Sequence, residues 1–420
     1  KNTRFTRRTM TERFDYDAII IGAGAAGCAA AGYAAQNGRR VLLLERNKRP
    51  ARKILVTGKG RCNVTNECEP EEFLRHVRRN PRFLYGAISR FAPKNTMELF
   101  EKLGVKLKTE RGRRVFPQSD RAMDIADALQ LFIKNRNVTL EEGRAQKLMF
   151  EDGALVGVLT EDGRFFRAPK VVVATGGMSY PLTGSCGDGY KLARQAGHTI
   201  VEPRPSLVGV SAKENLSEAA GLSLKNVTLR LYQSGKKKPV YEELGEMLIT
   251  HEGVSGPLVL TASTYMSAPV TEYRMELDLK PGLSEQELDG RILRDFGEKL
   301  NRDFANALDE LLPRSFVPYV VAASGIPPEI KVNSVTKEQR AALVRAIKAF
   351  GITPTALDPI ETAIITAGGV SVKEVDPKTM ESKLVPGLYF AGEVLDLDAE
   401  TGGYNLQIAF TTGHAAGMAL

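Results

Sequence analysis

Residues 17–45 read DAIIIGAGAAGCAAAGYAAQNGRRVLLLE, and much of the architecture follows from their order. Asp17 to Ile21 is a short apolar run rich in β-branched residues, which predicts a buried strand. Ala25 to Gln36 is almost wholly small or apolar, which predicts a helix able to lie close against a sheet. Asn37-Gly38 supplies its stop signal, and Arg40 to Leu44 predicts a second buried strand closed by Glu45.

Between the first strand and the helix stands Gly22-Ala23-Gly24-Ala25-Ala26-Gly27. In this register Gly22 permits the tight turn, Gly24 lets the backbone approach a ligand, and Gly27 lets helix and strand touch. Free N–H groups and the positive end of the helix then suit a pyrophosphate. Glu45 stands where a carboxylate can accept ribose hydroxyls. A glycine-rich turn in an ordinary α/β protein would explain neither the third glycine nor Glu45, so the stretch predicts a dinucleotide site.

The chain has 420 residues, enough for two or three domains with real cores. Its 43% hydrophobic and 26% charged content is that of a globular protein. No apolar run reaches the roughly 18 residues a membrane span needs. Residues 1–16 read as a basic leader without fixed structure, and no apolar core of a signal peptide follows it. The net charge is +8, of which residues 1–13 supply +4. Residues 46–61 carry seven Lys or Arg and no acid, but without aromatics they read as a cofactor-phosphate or solvated loop. Four cysteines without zinc spacing, and four scattered histidines, predict a reducing, cytoplasmic setting with neither a disulfide framework nor a metal site.

Further along, Lys53 to Asn66 is dense in glycines and amides, a polar cradle placed by chain order beside the nucleotide. Helical periodicity resumes from Glu71 to Gly104. Asn137 to Gly177 reads as a meander ending in an apolar strand stopped by Thr175-Gly176-Gly177. Residues 200–283 read as an inserted β domain, and the capping boxes Ser284-x-x-Glu287 and Thr336-x-x-Gln339 make 284–350 an inserted helical domain. Residues 17–199 and 351–420 then form the two parts of the dinucleotide domain. In the second part a buried strand ends in Gly392-Glu393, and Thr401-Gly402-Gly403-Tyr404-Asn405-Leu406-Gln407 opens the last helix. Such a helix start offers N–H donors and about half a positive charge to the N1 and C2 carbonyl edge of a flavin.

Four segments carry a resemblance: Gly-Lys-Gly-Arg-Cys-Asn within 53–66, Ala-Thr-Gly-Gly and Gly-Asp-Gly-Tyr within 172–190, Thr250-His251 with Ser255-Gly-Pro, and 379–407 with Ala-Gly-Glu-Val-Leu-Asp and Gly-Gly-Tyr-Asn-Leu-Gln. With these the chain resembles the HI0933-like bacterial flavoprotein family, which includes an aminoacetone oxidase and a bile-acid-inducible flavoprotein reductase. The resemblance implies an α/β fold: a glutathione-reductase-type FAD-binding domain, Rossmann-like with a central parallel sheet and a β-meander. An insert with a β-barrel-like part and a helical part interrupts it. It also implies non-covalent FAD held by Gly22, Gly24, Ala25, Ala26, Gly27, Glu45, Arg46, Lys53, Gly58, Gly60, Arg61, Cys62, Asn63 and Thr65 from the N-terminal part. Ala145, Thr175, Gly176, Gly177, Gly392, Glu393, Asp396 and Gly403 to Leu406 complete that pocket. Cys186, where the family more often has Thr, and the turn Asp398-Ala-Glu400 depart from the pattern.

The activity expected is that of an FAD-dependent oxidoreductase passing hydride between flavin N5 and a small organic substrate. Tyr180, His251 and Tyr404 are the candidate proton donors or anchors, and a histidine bracing the Gly253–Gly256 turn is an equal reading of His251. A reductase of an unsaturated or keto compound with transient NADH or NADPH leads the alternatives, since no second glycine fingerprint exists for a resident nicotinamide nucleotide. An amine oxidase using O₂ is an alternative. A redox dithiol of Cys62 and Cys68 is disfavoured, because five residues intervene and the Arg-Cys-Asn loop accounts for Cys62. From another class, a flavin-binding RNA-associated or regulatory protein would leave its footprint in the leader and Lys236-Lys-Lys238. The partners expected are a small molecule, no stable nucleic acid and no membrane, with the chain a monomer or homodimer.

Overall fold

A computed structural model describes residues 14–267 and 269–420. The basic leader at 1–13 lies outside the described residues. The chain divides into two compact units, Lys1–Ser206 with Pro359–Leu420, and Leu207–Asp358.

The first unit is built on a five-stranded parallel sheet in the order Leu388–Phe390, Val171–Val173, Ala18–Ile21, Val41–Glu45, Val138–Glu142. Four of these strands are buried along their whole length, as parallel strands covered on both faces must be, which is why they read as apolar runs broken only by the terminal Glu45. The helix Ala25–Gln36 follows the first strand at once. A side chain at Gly27 would bring its Cβ to 1.8 Å from the Gly22 carbonyl oxygen, so only glycine permits this approach. The helix Tyr404–Ala419 packs on the same helix by a similar device. Gly413 and Gly417, one turn apart, would set a Cβ 2.4 Å from Ala26 O and 2.5 Å from Ala30 O.

The meander differs in one strand from the sequence expectation. Ala145–Glu151, Ala154–Thr160 and Phe165–Arg167 form the antiparallel sheet, but Val138–Glu142 joins the edge of the parallel one, pairing Val41 with Val138. Its half-exposed, acid-tipped pattern suits a sheet edge, and alternation alone does not distinguish that from a hairpin strand. Between Val41–Glu45 and this edge the helices Pro70–Arg75, Pro81–Arg90 and Pro93–Lys102 each start on proline, whose missing N–H costs nothing at that position.

Ile200–Ser206 pairs antiparallel with Ile365–Val370, so both belong to the first unit, and the second begins at Leu207 rather than at residue 200. The second unit holds a seven-stranded antiparallel sheet whose outermost strands are Phe350–Ile352 and Pro354–Leu357. Only Thr353 separates these two, so the sheet curls until its edges come from one continuous segment, a barrel-like closure. Both capping boxes form: Glu287 N donates to Ser284 Oγ at 3.2 Å and Gln339 N to Thr336 Oγ1 at 3.2 Å. Leu229 and Leu277 of the sheet share one hydrophobic core with Leu288, Ile292, Leu343 and Ile347 of the helices.

Candidate functional site

Four neighbouring strands of the parallel sheet end at one edge, and each is followed by a segment singled out in the sequence. Ala18–Ile21 runs into Gly22–Gly27, Val41–Glu45 ends on Glu45, Val171–Val173 leads to Thr175–Gly177, and Leu388–Phe390 leads to Gly392-Glu393. The carboxyl edge of a parallel sheet is where ligands of such folds bind. Gly22, at φ +97°, would collide with Ala174 O at 2.6 Å if it bore a side chain, whereas the Cβ position of Gly24 faces open space. The first-turn N–H groups of Ala25, Ala26 and Gly27 precede the first intrahelical bond, from Cys28 N to Gly24 O.

Glu45 is 7% exposed and is engaged within the protein: Oε2 accepts the Ala23 N–H at 2.7 Å, and Oε1 accepts Asn47 N at 2.9 Å and Nδ2 at 2.7 Å. The acid therefore ties the glycine loop to its own strand while retaining lone pairs for hydroxyl donors. Arg46 and Arg144 converge on Asp188 at the start of the helix Asp188–Gln195, with Arg144 bidentate at 2.7 and 2.8 Å.

Beside the glycine pairs lies a charged network. Lys53 Nζ donates to Glu393 Oε2 at 2.7 Å, Glu393 Oε1 at 3.0 Å and Ser179 Oγ at 2.7 Å. Glu393 Oε1 also accepts Thr366 N at 2.9 Å, and Thr366 Oγ1 accepts the N–H groups of Met178 and Ser179 at 2.8 and 3.1 Å. A Cβ at Gly177 would strike Thr366 Oγ1 at 2.4 Å, so the second glycine exists for this approach. Ser179, Thr366 and Tyr190 were not among the sequence candidates. Ser179 lies two residues after a quoted glycine pair, but nothing in the sequence around Thr366 marks it. The Tyr190 hydroxyl is buried, and burial with the Glu393 and Asp396 charges holds its proton tightly.

The last helix starts at Gly403, whose φ is +96° and whose Cβ would meet Thr65 O at 2.3 Å. Thr65 Oγ1 donates to Gln407 Oε1 at 2.6 Å, and Asn405 Nδ2 closes the turn on Ala399 O at 2.8 Å. Tyr404 is buried and stacks on His76 with centroids 4.4 Å apart, and burial pushes its hydroxyl pKa up. Asp396, 5% exposed, meets Arg79 Nε at 2.8 Å and Asn80 Nδ2 at 3.0 Å. Asp398 is fully buried; burial pushes its carboxyl up to about 6 against the pull of nearby arginines and of Ser206 Oγ at 3.2 Å.

In the loop after Glu45, Lys59 at φ 56° and Cys62 at φ 58° hold left-handed conformations, which strain a non-glycine residue. Gly58 and Gly60 share that region of the backbone. Arg61 has its guanidinium committed to Asp120 at 2.8 Å and to Glu110, and stacks 4.2 Å over Phe116. Among the buried polar atoms of the site without a hydrogen-bond partner among the described residues are Asn63 Oδ1, Thr175 Oγ1 and the Tyr190 hydroxyl. Open space at Gly24, free helix N–H groups and orphaned polar atoms fit a polar, phosphate-bearing group. Ala145 lies 8% exposed on its meander strand. Tyr180 takes a left-handed turn directly after Ser179, with its carbonyl accepting Thr183 Oγ1 at 2.7 Å. His251 belongs to the second unit, exposed in the turn where Thr250 N donates to Gly253 O at 2.9 Å. Burial holds the Cys62 and Cys68 thiols up at about 12, so they are poor nucleophiles. Among the described residues no cluster of metal-ligating side chains occurs, and no helix is long and apolar enough to cross a membrane.

This parallel sheet, glycine fingerprint and polar carboxyl edge define the class, that of the FAD-dependent oxidoreductases with a Rossmann-like domain. Within it the chain belongs to the HI0933-like family, whose "HI0933-like protein Rossmann domain" matches residues 16–419. The Escherichia coli (strain K12) protein named ribosomal RNA dihydrouridine synthase is 34% identical over 417 residues, spanning 97% of this chain and 98% of that one. A Clostridium scindens protein, 3-dehydro-bile acid delta(4,6)-reductase, is 32% identical over 411 residues, 95% of this chain and 98% of that one. Among solved structures, the Rhodococcus jostii RHA1 3-ketosteroid-delta4-(5alpha)-dehydrogenase in complex with 4-androstene-3,17-dione matches with a TM-score of 0.52 and 15% identity over 98% of each chain, a likeness of fold.

Proposed function

We propose that this protein is a nicotinamide-dependent reductase that saturates a carbon–carbon double bond conjugated to a carbonyl. The observation that carries this reading is the kind of relative found over nearly the full chain. Both names describe saturation of such a bond, one in a uracil ring and one in a bile acid. Two products so different in size share one chemical step. FAD, when bound, supplies the hydride for that step.

The chain's own residues then have separable tasks. Gly22, Gly24 and Gly27 with the first-turn N–H groups would bind the pyrophosphate without covalent attachment, and Glu45 the ribose. The start of the Tyr404–Ala419 helix, at Gly403 to Leu406, would present N–H donors and its positive end to the flavin ring. Lys53, held by Glu393, would keep a fixed charge beside the ring. Tyr180, adjacent to Ser179 of that network, is the proton donor we favour over Tyr404, which is buried, and over His251. Tyr180→Phe is expected to lower turnover about 10²–10³-fold with unchanged flavin content.

The test is anaerobic addition of NADH and of NADPH to the flavin-loaded protein, followed by an unsaturated 3-keto steroid acid or a uridine-containing RNA. Bleaching of the flavin band by a nicotinamide and its recovery on adding either acceptor is the expected result. A flavin that stays oxidised with both nicotinamides yet is reduced by a small amine would replace this reading with the oxidase one.

A further inference from the structure

The helices and hairpin between the second and the edge strand of the parallel sheet are strongly basic. Residues 70–121 hold thirteen Lys or Arg and six Asp or Glu, a net +7. Three of those acids are already neutralised. Glu110 and Asp120 pair with Arg61 and Lys108, and Glu72 pairs with Arg113. Arg75, Arg82 and Arg111 are exposed and make no ion pair among the described residues.

The fold ties the segments that carry these cations to one another. The helix Pro81–Arg90 buries Phe83, Leu84, Ala87 and Ile88, leaving Arg82, Tyr85 and Ser89 on the opposite face at i, i+3 and i+7. Tyr85 is 65% exposed, the most exposed aromatic ring among the described residues. The helix Pro70–Arg75 packs against it, ending on Arg75. The Glu72–Arg113 pair, with Glu67 N donating to Arg113 O at 2.8 Å, brings the hairpin turn at Arg111–Arg114 beside that helix. The connecting loop is pinned, since Arg78 N donates to Asp398 O at 2.8 Å.

We propose that this surface binds single-stranded RNA. Rows of unpaired guanidinium groups recognise phosphates, and an exposed ring among them offers a stacking platform to an unstacked base. A solvated basic face needs no exposed tyrosine beside Arg82, and a duplex offers no free base to stack on one. This conclusion departs from the absence of a nucleic-acid partner expected from the sequence; it deepens the reductase reading, in which a uridine-containing RNA is one acceptor, and binding is read without turnover.

The test is fluorescence anisotropy of a labelled oligouridine RNA of about 12 nucleotides with the flavin-loaded full chain, across about 50–200 mM salt. Three variants are compared: Arg75→Glu/Arg82→Glu, Arg111→Glu/Arg114→Glu and Tyr85→Ala. The charge reversals are expected to weaken binding about tenfold or more and to flatten its salt dependence. Tyr85→Ala should weaken it about fivefold or more with the salt slope kept. Flavin absorption and melting temperature should match the wild type, and nicotinamide bleaching in the same samples separates this result from any failure of the reductase reading. Unchanged RNA affinity in the folded variants overturns the proposal. So does equal binding to duplex DNA or anionic vesicles that ignores Tyr85→Ala, which would describe a plain polyanion surface.

Discussion

Gly27 shows how much one missing methyl group decides. A Cβ there would lie 1.8 Å from a backbone oxygen, and neither strand nor helix can retreat without parting from the sheet. Gly27→Ala is expected to destabilise the fold by about 3 kcal/mol or more and to lose flavin, read as a lower melting temperature and a paler protein. Asp398 sets a pH dependence. Its folded pKa of about 6 lies above the ordinary carboxyl value of 3.8. The fold therefore binds the proton more tightly than the unfolded chain. The stability this brings is complete below about pH 4 and is lost as pH rises through 6, up to about 3 kcal/mol. Asp398→Asn should flatten this decline in a series of thermal melts from pH 4 to 7.5; an unaltered slope would place the titration elsewhere. The turn at Gly22 and the close approach at Gly27 were legible because each is set by near neighbours in the chain. The engagement of Glu45 by Ala23 N–H and Asn47 was not, since it depends on how a loop folds back.

At the scale of elements, the two small-residue helices Ala25–Gln36 and Tyr404–Ala419 oppose two effects of known size. Gly→Ala within a helix ordinarily gains about 1 kcal/mol from propensity. At Gly413 the added Cβ would sit 2.4 Å from Ala26 O, and overpacking of this kind costs about 1–3 kcal/mol. Overlap with backbone has no flexible side chain to relieve it, so Gly413→Ala should lower stability by about 1–2 kcal/mol in denaturant melts; a gain would mean that the helices part easily. Most elements of the first unit were readable from periodicity and glycine stops. Val138–Glu142 was misassigned because half-exposed alternation is shared by hairpin strands and sheet edges.

At the scale of the whole molecule, the described residues form two hydrophobic cores with no residue in common, one for each compact unit. Calorimetric unfolding should therefore depart from two-state behaviour, with the van't Hoff enthalpy below the calorimetric one. Phe316, fully buried in the second core, should cost about 3–5 kcal/mol when truncated to Ala, moving one transition and leaving the other in place. A single transition shifted as a whole would show the cores to be one cooperative unit. The sequence by itself determined the dinucleotide fingerprint, the capping boxes and the alternation of β and α segments, because these rest on spacings within one strand or one helical turn. Only the tertiary structure decided that Lys53 meets Glu393 and that Thr366 supports both Ser179 and Glu393. It alone also closed the seven-stranded sheet across Thr353 and left Tyr85 exposed on the helix face that carries Arg82. Those outcomes depend on the order of strands in a sheet and on which distant side chains come to share one desolvated space, and local periodicity carries no record of either.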